Sequence, residues 1–143
     1  MLRRGDLWRC LASHDDLLPE ENPRGIQAIL DNCDHDYALG YRAFKLKIGR
    51  GYRWMEVEEG LQRDIQVTQA VRQRFGGCAI LVDANDGYTC DGFLHYLDAV
   101  AGCGLYWIEE PFRENREDLI RLREFLARRS PQTLIASVVS HTG

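Results

Sequence analysis

The sequence predicts an α/β protein in which about five parallel strands alternate with four helices. Two patterns carry that expectation. Strand-like and helix-periodic runs alternate along the 143 residues, and several strand runs are continuously apolar, as strands buried on both faces of a parallel sheet are. A third observation narrows it: polar clusters close three of the strand runs, where a parallel β/α barrel carries its chemistry.

The elements follow in order. A first strand over Leu7 to Ser13 leads through the polar loop Asp15 to Glu21 to a helix opening at Asn22-Pro23, an asparagine cap followed by proline at the first helical position. That helix carries Ile26, Ile29, Leu30 and Cys33 inward and fades before Gly40. The second strand is Tyr41-Arg42-Ala43-Phe44-Lys45-Leu46-Lys47, and Gly49-Arg50-Gly51 turns the chain into the longest helix, Trp54 to Phe75. Its apolar stripe is Val57, Leu61, Ile65, Val71 and Phe75, with a gap at Thr68. Gly76-Gly77 ends it. The third strand, Ala79 to Val82, reaches Asp83. The next helix uses Phe93, Leu94, Leu97 and Val100 and stops at Gly102 and Gly104. The fourth strand, Leu105 to Ile108, reaches Glu109. A fourth helix follows Asn115, with Asp118 as a capping-box-like partner three residues on, and Thr133-Leu134-Ile135-Ala136 forms a fifth strand.

Composition excludes several classes. The chain is 45% hydrophobic and 28% charged, with 18 basic against 22 acidic residues for a net −4. It has no lysine/arginine block, so neither nucleic acid nor a membrane surface is expected as a partner. No apolar run approaches the roughly 20 residues that span a bilayer, and Met1 to Asp6 leads into no signal-peptide core. A cytoplasmic location is expected. The five cysteines are scattered without metal-binding or redox spacing and read as reduced, mostly buried residues.

The candidate site lies in the three polar strand ends. Side chains alternate faces along a strand, so Lys45 and Lys47 share one face while Phe44, Leu46 and Ile48 share the other. Asp83 and Asn85 pair in the same way, and Glu109-Glu110-Pro111 closes the next strand. Taken singly, the lysines read as a solvated edge, Asp83-Ala84-Asn85 as a turn, and Glu109-Glu110-Pro111 as a proline stop. Their coincidence points to a site. His14, Asp15 and Asp16 read as exposed loop polarity, His35, His95 and His141 as surface residues, and Arg121, Arg123, Arg128 and Arg129 with Glu117 and Glu124 as a solvated helix face. An open doubly wound sheet and part of a closed barrel both satisfy the element order. Gly49-Arg50-Gly51 lacks the third glycine of a dinucleotide fingerprint, which argues against the first.

The runs Gly40 to Gly49, Val82-Asp83-Ala84-Asn85-Asp86-Gly87-Tyr88 and Trp107-Ile108-Glu109-Glu110-Pro111-Phe112 together resemble the enolase superfamily, in its mandelate racemase/muconate lactonizing enzyme branch. The likeness runs from about Leu7 to Ala136, with Asp83 and Glu109 spaced 26 positions apart as that family spaces its first two metal ligands. It implies a partial (β/α) barrel of the TIM type, strands one to five. Residue by residue, the resemblance implies Lys47 as general base for the proton α to a carboxylate, Lys45 as a catalytic group that also holds that carboxylate, and Asn85 near the substrate. It further implies Asp83 and Glu109 as ligands of Mg²⁺, which stabilises the enediolate, and Glu110 in support behind the metal. The chemistry suits these types. A lysine that takes a proton near neutral pH must be depressed from about 10.4, and burial with a neighbouring ammonium pushes that way. Mg²⁺ prefers hard oxygen ligands. The implied substrate is a small carboxylate, a sugar acid by analogy, with dehydration favoured and racemisation or cycloisomerisation as further outcomes.

The family's third acidic ligand is expected just past the fifth strand, where Val139 stands, and strands six to eight and the capping domain fall outside the 143 residues. A shifted reading frame after Ala136 is one explanation, which the coding DNA would decide. The alternative reading is a non-catalytic remnant or interaction module, self-associating through open sheet edges. The isolated chain is expected to show no turnover. Mg²⁺-dependent proton exchange at a carboxylate α-carbon, lost in Lys47→Ala, would overturn that expectation.

Overall fold

The computed structural model describes residues 8–10, 16 and 25–136. Five parallel strands alternate with four helices: β1 (Trp8–Cys10), α1 (Ile26–Ala38), β2 (Ala43–Lys47), α2 (Val57–Arg74), β3 (Ala79–Asp83), α3 (Cys90–Val100), β4 (Trp107–Glu109), α4 (Arg116–Arg129) and β5 (Leu134–Ala136). The sheet order is β1-β2-β3-β4-β5, every pair parallel. Consecutive strands that neighbour one another, each joined by a helical crossover, give the progressive order of a barrel rather than the reversal of a doubly wound sheet.

Two faces result from the pleat. Phe44, Leu46, Ile80, Val82 and Ile108 point to the helices and join Ile29, Cys33, Leu61, Ile65, Val71, Phe93, Leu97 and Leu122 in one core. Phe75 meets Phe44 edge-on at 5.1 Å. The other face carries the alternate residues. In register, Lys45, Leu81, Trp107 and Leu134 form one row across β2 to β5, and Lys47, Asp83, Glu109 and Ala136 form the next row toward the strand ends. The indole Nε1 of Trp107 is buried there with no hydrogen-bond partner among the described residues.

Side-chain caps account for the starts of two of the four described helices. Asn115 caps α4, its Oδ1 accepting the Asp118 N–H at 3.0 Å while its Nδ2 donates to the Asp118 carboxylate at 2.7 Å. Thr89 caps α3 by accepting from the Gly92 N–H at 3.1 Å. The first described residue of α1 is Ile26, after Gly25; the expected cap Asn22 and Pro23 lie outside the described residues, as do the loop residues around Asp15, His14, His141 and Val139. His35 and His95 are exposed, as are Arg121, Arg123, Arg128 and Arg129. Four cysteines, Cys33, Cys78, Cys90 and Cys103, are free and buried. Among the described residues no helix is long and apolar enough to cross a membrane.

The longest helix departs from expectation at its start. Residues 51–55 form a turn instead of helix: Trp54 and Met55 N–H groups both donate to the Arg50 carbonyl, and Tyr52 sits at φ 69°. Leu61, Ile65, Val71 and Phe75 of the expected stripe are buried, and the departures are at two positions. Val57 is exposed, while Thr68, expected as a gap, is enclosed and bonds Tyr96 through their hydroxyls at 2.7 Å. Gly60 faces the turn so closely that a Cβ there would lie 2.2 Å from Gly51 N and 2.5 Å from its Cα. Backbone on both sides leaves no flexible atom to move. Gly60→Ala is therefore expected to cost about 3 kcal/mol or more, the upper range for overpacking, whereas Gly76→Ala, with nothing within 4 Å of the added carbon, should be near neutral in urea unfolding.

Candidate active site

The row Lys47, Asp83, Glu109 and Ala136 places polar head groups from three strands side by side. Lys47 Nζ donates to Asp83 Oδ2 at 2.6 Å and to Asn85 Oδ1 at 3.2 Å. Lys45, one row deeper, reaches up: its Nζ lies 3.6 Å from Asp83 Oδ2 and in direct ion pairing with Glu109 Oε2. The side chains are largely enclosed, at 12% exposure for Lys45, 21% for Lys47, 5% for Asp83 and 16% for Glu109. Two ammonium groups thus balance two carboxylates in a partly dry pocket, and these are the only two lysines of the chain, whose remaining cationic side chains are arginine. An amine loses a proton far more readily than a guanidinium.

The strand ends bend sharply around this cluster. Asn85, Asp86 and Glu110 all adopt left-handed backbone, at φ 47°, 58° and 43°. Asn and Asp tolerate that region; a glutamate there carries strain of the kind found at functional sites. The strain is held by a ladder between the loops: the Asp86 N–H donates to the Glu110 carbonyl at 2.7 Å and the Tyr88 N–H to Pro111 O at 3.2 Å. Glu110 is thereby tied to the site through its backbone. Asn85 donates its N–H to Asp83 Oδ1 at 2.9 Å, which fixes the carboxylate plane, and its carbonyl accepts from Arg53 Nη2 at 2.7 Å.

Burial works to raise the Asp83 pKa, but the Lys47 hydrogen bond, the Asn85 N–H and the charges of Lys47 and Lys45 outweigh it and hold the carboxyl below the usual range. Could a divalent cation sit here? The Lys45 ammonium already spans Asp83 Oδ2 and Glu109 Oε2, a positive charge between two carboxylates where such an ion would lie. Glu109 Oε2 is buried and held by that ion pair rather than by a directed hydrogen bond. Hard carboxylate oxygens on adjacent strands suit Mg²⁺, which commonly takes one or two carboxylates and completes its octahedron with water and substrate. Among the described residues no group of three or more His, Cys, Asp or Glu converges on one point, so the pair Asp83 and Glu109 is the whole acidic set that fits.

The sequence-based reading of the loops needs one correction. Asp16, expected as exposed loop polarity, is buried, and its carboxylate takes a hydrogen bond from Arg50 Nη2 at 2.7 Å. Arg50 and Asp64 are buried with it, joined at 2.6 Å. Sequence reasoning passed over both. One signal was present: Asp64 stands three residues after Leu61 and next to Ile65, on the inward side of α2, where an acidic residue requires a partner. A cleft of about 610 Å³ lined by Tyr37, Arg42, Arg74 and Cys78 lies elsewhere, but its guanidiniums are spent on the Tyr37 and Tyr41 carbonyls and on Asp34.

Because the native Asp83 pKa is lowered, its contribution to stability is fully present above its unfolded value of about 3.9 and is lost as pH falls through the lower native value. Asp83→Asn should cost about 1.5–3 kcal/mol at neutral pH, the range for hydrogen bonds to charged groups. In metal-free urea unfolding that deficit should hold above about pH 5 and shrink in strong acid. A deficit constant across the acid range would show that Asp83 is not so held.

Comparison with known proteins places this geometry. The model of the enolase C-terminal domain-like family matches residues 28–137. A 3,6-anhydro-alpha-L-galactonate cycloisomerase of Streptomyces coelicolor is 31% identical over 116 residues, 76% of this chain and 29% of the relative. The solved galacturonate dehydratase from Geobacillus sp., complexed with D-galacturonate and 5-keto-4-deoxy-D-galacturonate, is 32% identical with a TM-score of 0.83 over 91% of this chain and 35% of that one. A mandelate racemase/muconate lactonizing protein from Geobacillus sp. Y412MC10, complexed with magnesium/tartrate, gives 31% identity and a TM-score of 0.84 over 95% and 37%. The chain spans about a third of the length of these relatives. With its strands in barrel order and the family match over most of its length, the chain belongs to the enolase superfamily, in the mandelate racemase/muconate lactonizing enzyme branch.

Proposed function

We propose that this site binds Mg²⁺ through Asp83 and Glu109 and supports removal of the proton α to the carboxylate of a sugar acid, with Lys47 as the base. The observation that carries the reading is the convergence of Lys45, Lys47, Asp83 and Glu109, with the Lys45 ammonium lying between the two carboxylates. Sugar-acid relatives support the substrate class: one acts on an anhydrogalactonate, and another is solved with D-galacturonate. Dehydration is the favoured outcome, with cycloisomerisation and racemisation sharing the same first step.

Bound Mg²⁺ would supply positive charge against the negative charge that builds on the substrate carboxylate as its α-proton leaves. The other roles fall to the chain. Lys45 holds the substrate carboxylate by charge and restricts it to one orientation. Lys47 takes the α-proton on Nζ, a position fixed from one side by Asp83 and from the other by Asn85 Oδ1. Asn85, hinged at its left-handed backbone, offers its amide to a substrate hydroxyl. Glu110 supports the metal side by keeping the loop after β4 tied to Asp86. The enclosed mouth strengthens each of these interactions by lowering the local dielectric.

Binding is the readout, because it tests the metal and substrate assignments separately. Calorimetric titration of the full chain with Mg²⁺ should give one site, and Asp83→Asn and Glu109→Gln should each weaken it at least about tenfold, as loss of an oxygen ligand or its support does. D-galacturonate should bind with Mg²⁺ present and not in its absence, and Lys45→Met should weaken that binding. Mg²⁺ affinity indifferent to both carboxylate substitutions would sink the metal assignment, and sugar-acid binding indifferent to Mg²⁺ would sink the substrate assignment.

A further inference from the structure

Behind the mouth lies a second polar cluster that the proposed chemistry does not use. The side chains of Arg50 and Asp64 are fully enclosed. Arg50 Nη1 donates to Asp64 Oδ1 at 2.6 Å and to the carbonyl of Lys47 at 3.2 Å, and Nη2 donates to Asp16 Oδ1 at 2.7 Å. Asp64 Oδ2 accepts the Gly49 N–H at 2.8 Å, the Arg50 N–H at 3.4 Å and the Tyr88 hydroxyl at 2.5 Å. Arg63 Nη1 adds a bond to Asp16 Oδ2 at 3.2 Å. One carboxylate on α2 therefore grips the backbone just past β2 and a side chain from the loop past β3.

We propose that Arg50 and Asp64 are positioning residues that lock Lys47 in place relative to Asp83. Lys47 is the last residue of β2; the peptide that follows it is held on the β3 side by the Ile48 N–H donating to the Asp83 carbonyl at 3.0 Å, which leaves its carbonyl to be held from the other side. The Arg50 fork takes up that carbonyl, while Asp64 fixes the N–H groups of Gly49 and Arg50. Through Tyr88 the same carboxylate holds the loop that begins at Asp83 and Asn85. The frame is tight: a Cβ on Gly49 would stand 2.8 Å from the Ala84 carbonyl, so the two loops are already in backbone contact. A buried ionic cluster is a poor source of stability compared with apolar packing of the same volume. What a guanidinium fork supplies in addition is direction, two or more bonds at set angles. The consequence for catalysis rests on Lys47 being the base; the geometric claim does not.

The two lysines allow a direct test. The full metal-free chain is treated with a limiting amount of an N-hydroxysuccinimidyl acetate, and acetylation at Lys47 and Lys45 is read by mass spectrometry of peptides. General loosening exposes both amines and brings their ratio toward one, reducing any preference for the more exposed Lys47, whereas release of the β2 end frees Lys47 in preference. The Lys47 to Lys45 ratio should rise about threefold or more in Asp64→Asn, about twofold in Tyr88→Phe, and stay level in Arg74→Met, which breaks only a surface pair. Native folding of each variant is checked by circular dichroism. A ratio unmoved in folded Asp64→Asn and Tyr88→Phe overturns the proposal; should Asp64→Asn not fold, Tyr88→Phe decides alone. No Mg²⁺ enters the experiment, so failure of the metal assignment leaves its result unaffected, and an unmoved ratio leaves the metal assignment standing.

Discussion

Everything in this site depends on the in-register pairing of parallel strands at their C-terminal ends. Parallel pairing sets residues of adjacent strands side by side with their side chains on the same face. Once Lys47 is opposite Asp83 and Asp83 opposite Glu109, an amine and two carboxylates must share one surface. A slip of one residue in β3 would turn Asp83 toward the helices and bring Val82 into the row. The helix-facing core of Phe44, Leu46, Ile80, Val82 and Ile108 forbids that slip, because it would bury the charge and expose the valine. Apolar packing on one face thereby fixes chemistry on the other.

Charge is divided between two chemically different cations. Lysines occur only at the mouth, and an arginine occupies the sealed cluster behind it. A guanidinium keeps its charge under any ordinary condition, so the Arg50 and Asp64 pair gives a permanent scaffold. The mouth has no such permanence. Its lysines and carboxylates are partly exposed and neutralise one another only while no other cation competes for Asp83 and Glu109.

The fold was legible because its signals are repetitive. Alternation of strand and helix, the cap at Asn115 and the apolar runs before Asp83 and Glu109 each express a local rule, and the structure obeys them. The three strand-end clusters were legible for the same reason, since a polar group ending an apolar strand is conspicuous. The Arg50 cluster was hidden because its members come from positions 16, 50, 64 and 88, and the one local sign, an aspartate on the inward side of α2, does not say which distant residues meet it. Asp16 was misjudged on the sound general rule that loop aspartates face water. Thr68 and Val57 exchanged places with expectation because the turn at residues 51–55 shortens the helix start, and because the Tyr96 hydroxyl gives a buried threonine its partner.

Trp107 has a further physical consequence. Its indole sits in the row beneath Glu109, beside Leu81 and two strands from Lys45, with its N–H donor unsatisfied among the described residues. An indole's emission wavelength follows the electric field along its ring and the polarity around its nitrogen. Of the three tryptophans in the chain, Trp107 is the one placed as an optical gauge of the mouth, its share of the emission tied to whether Lys45 or another cation lies against Glu109.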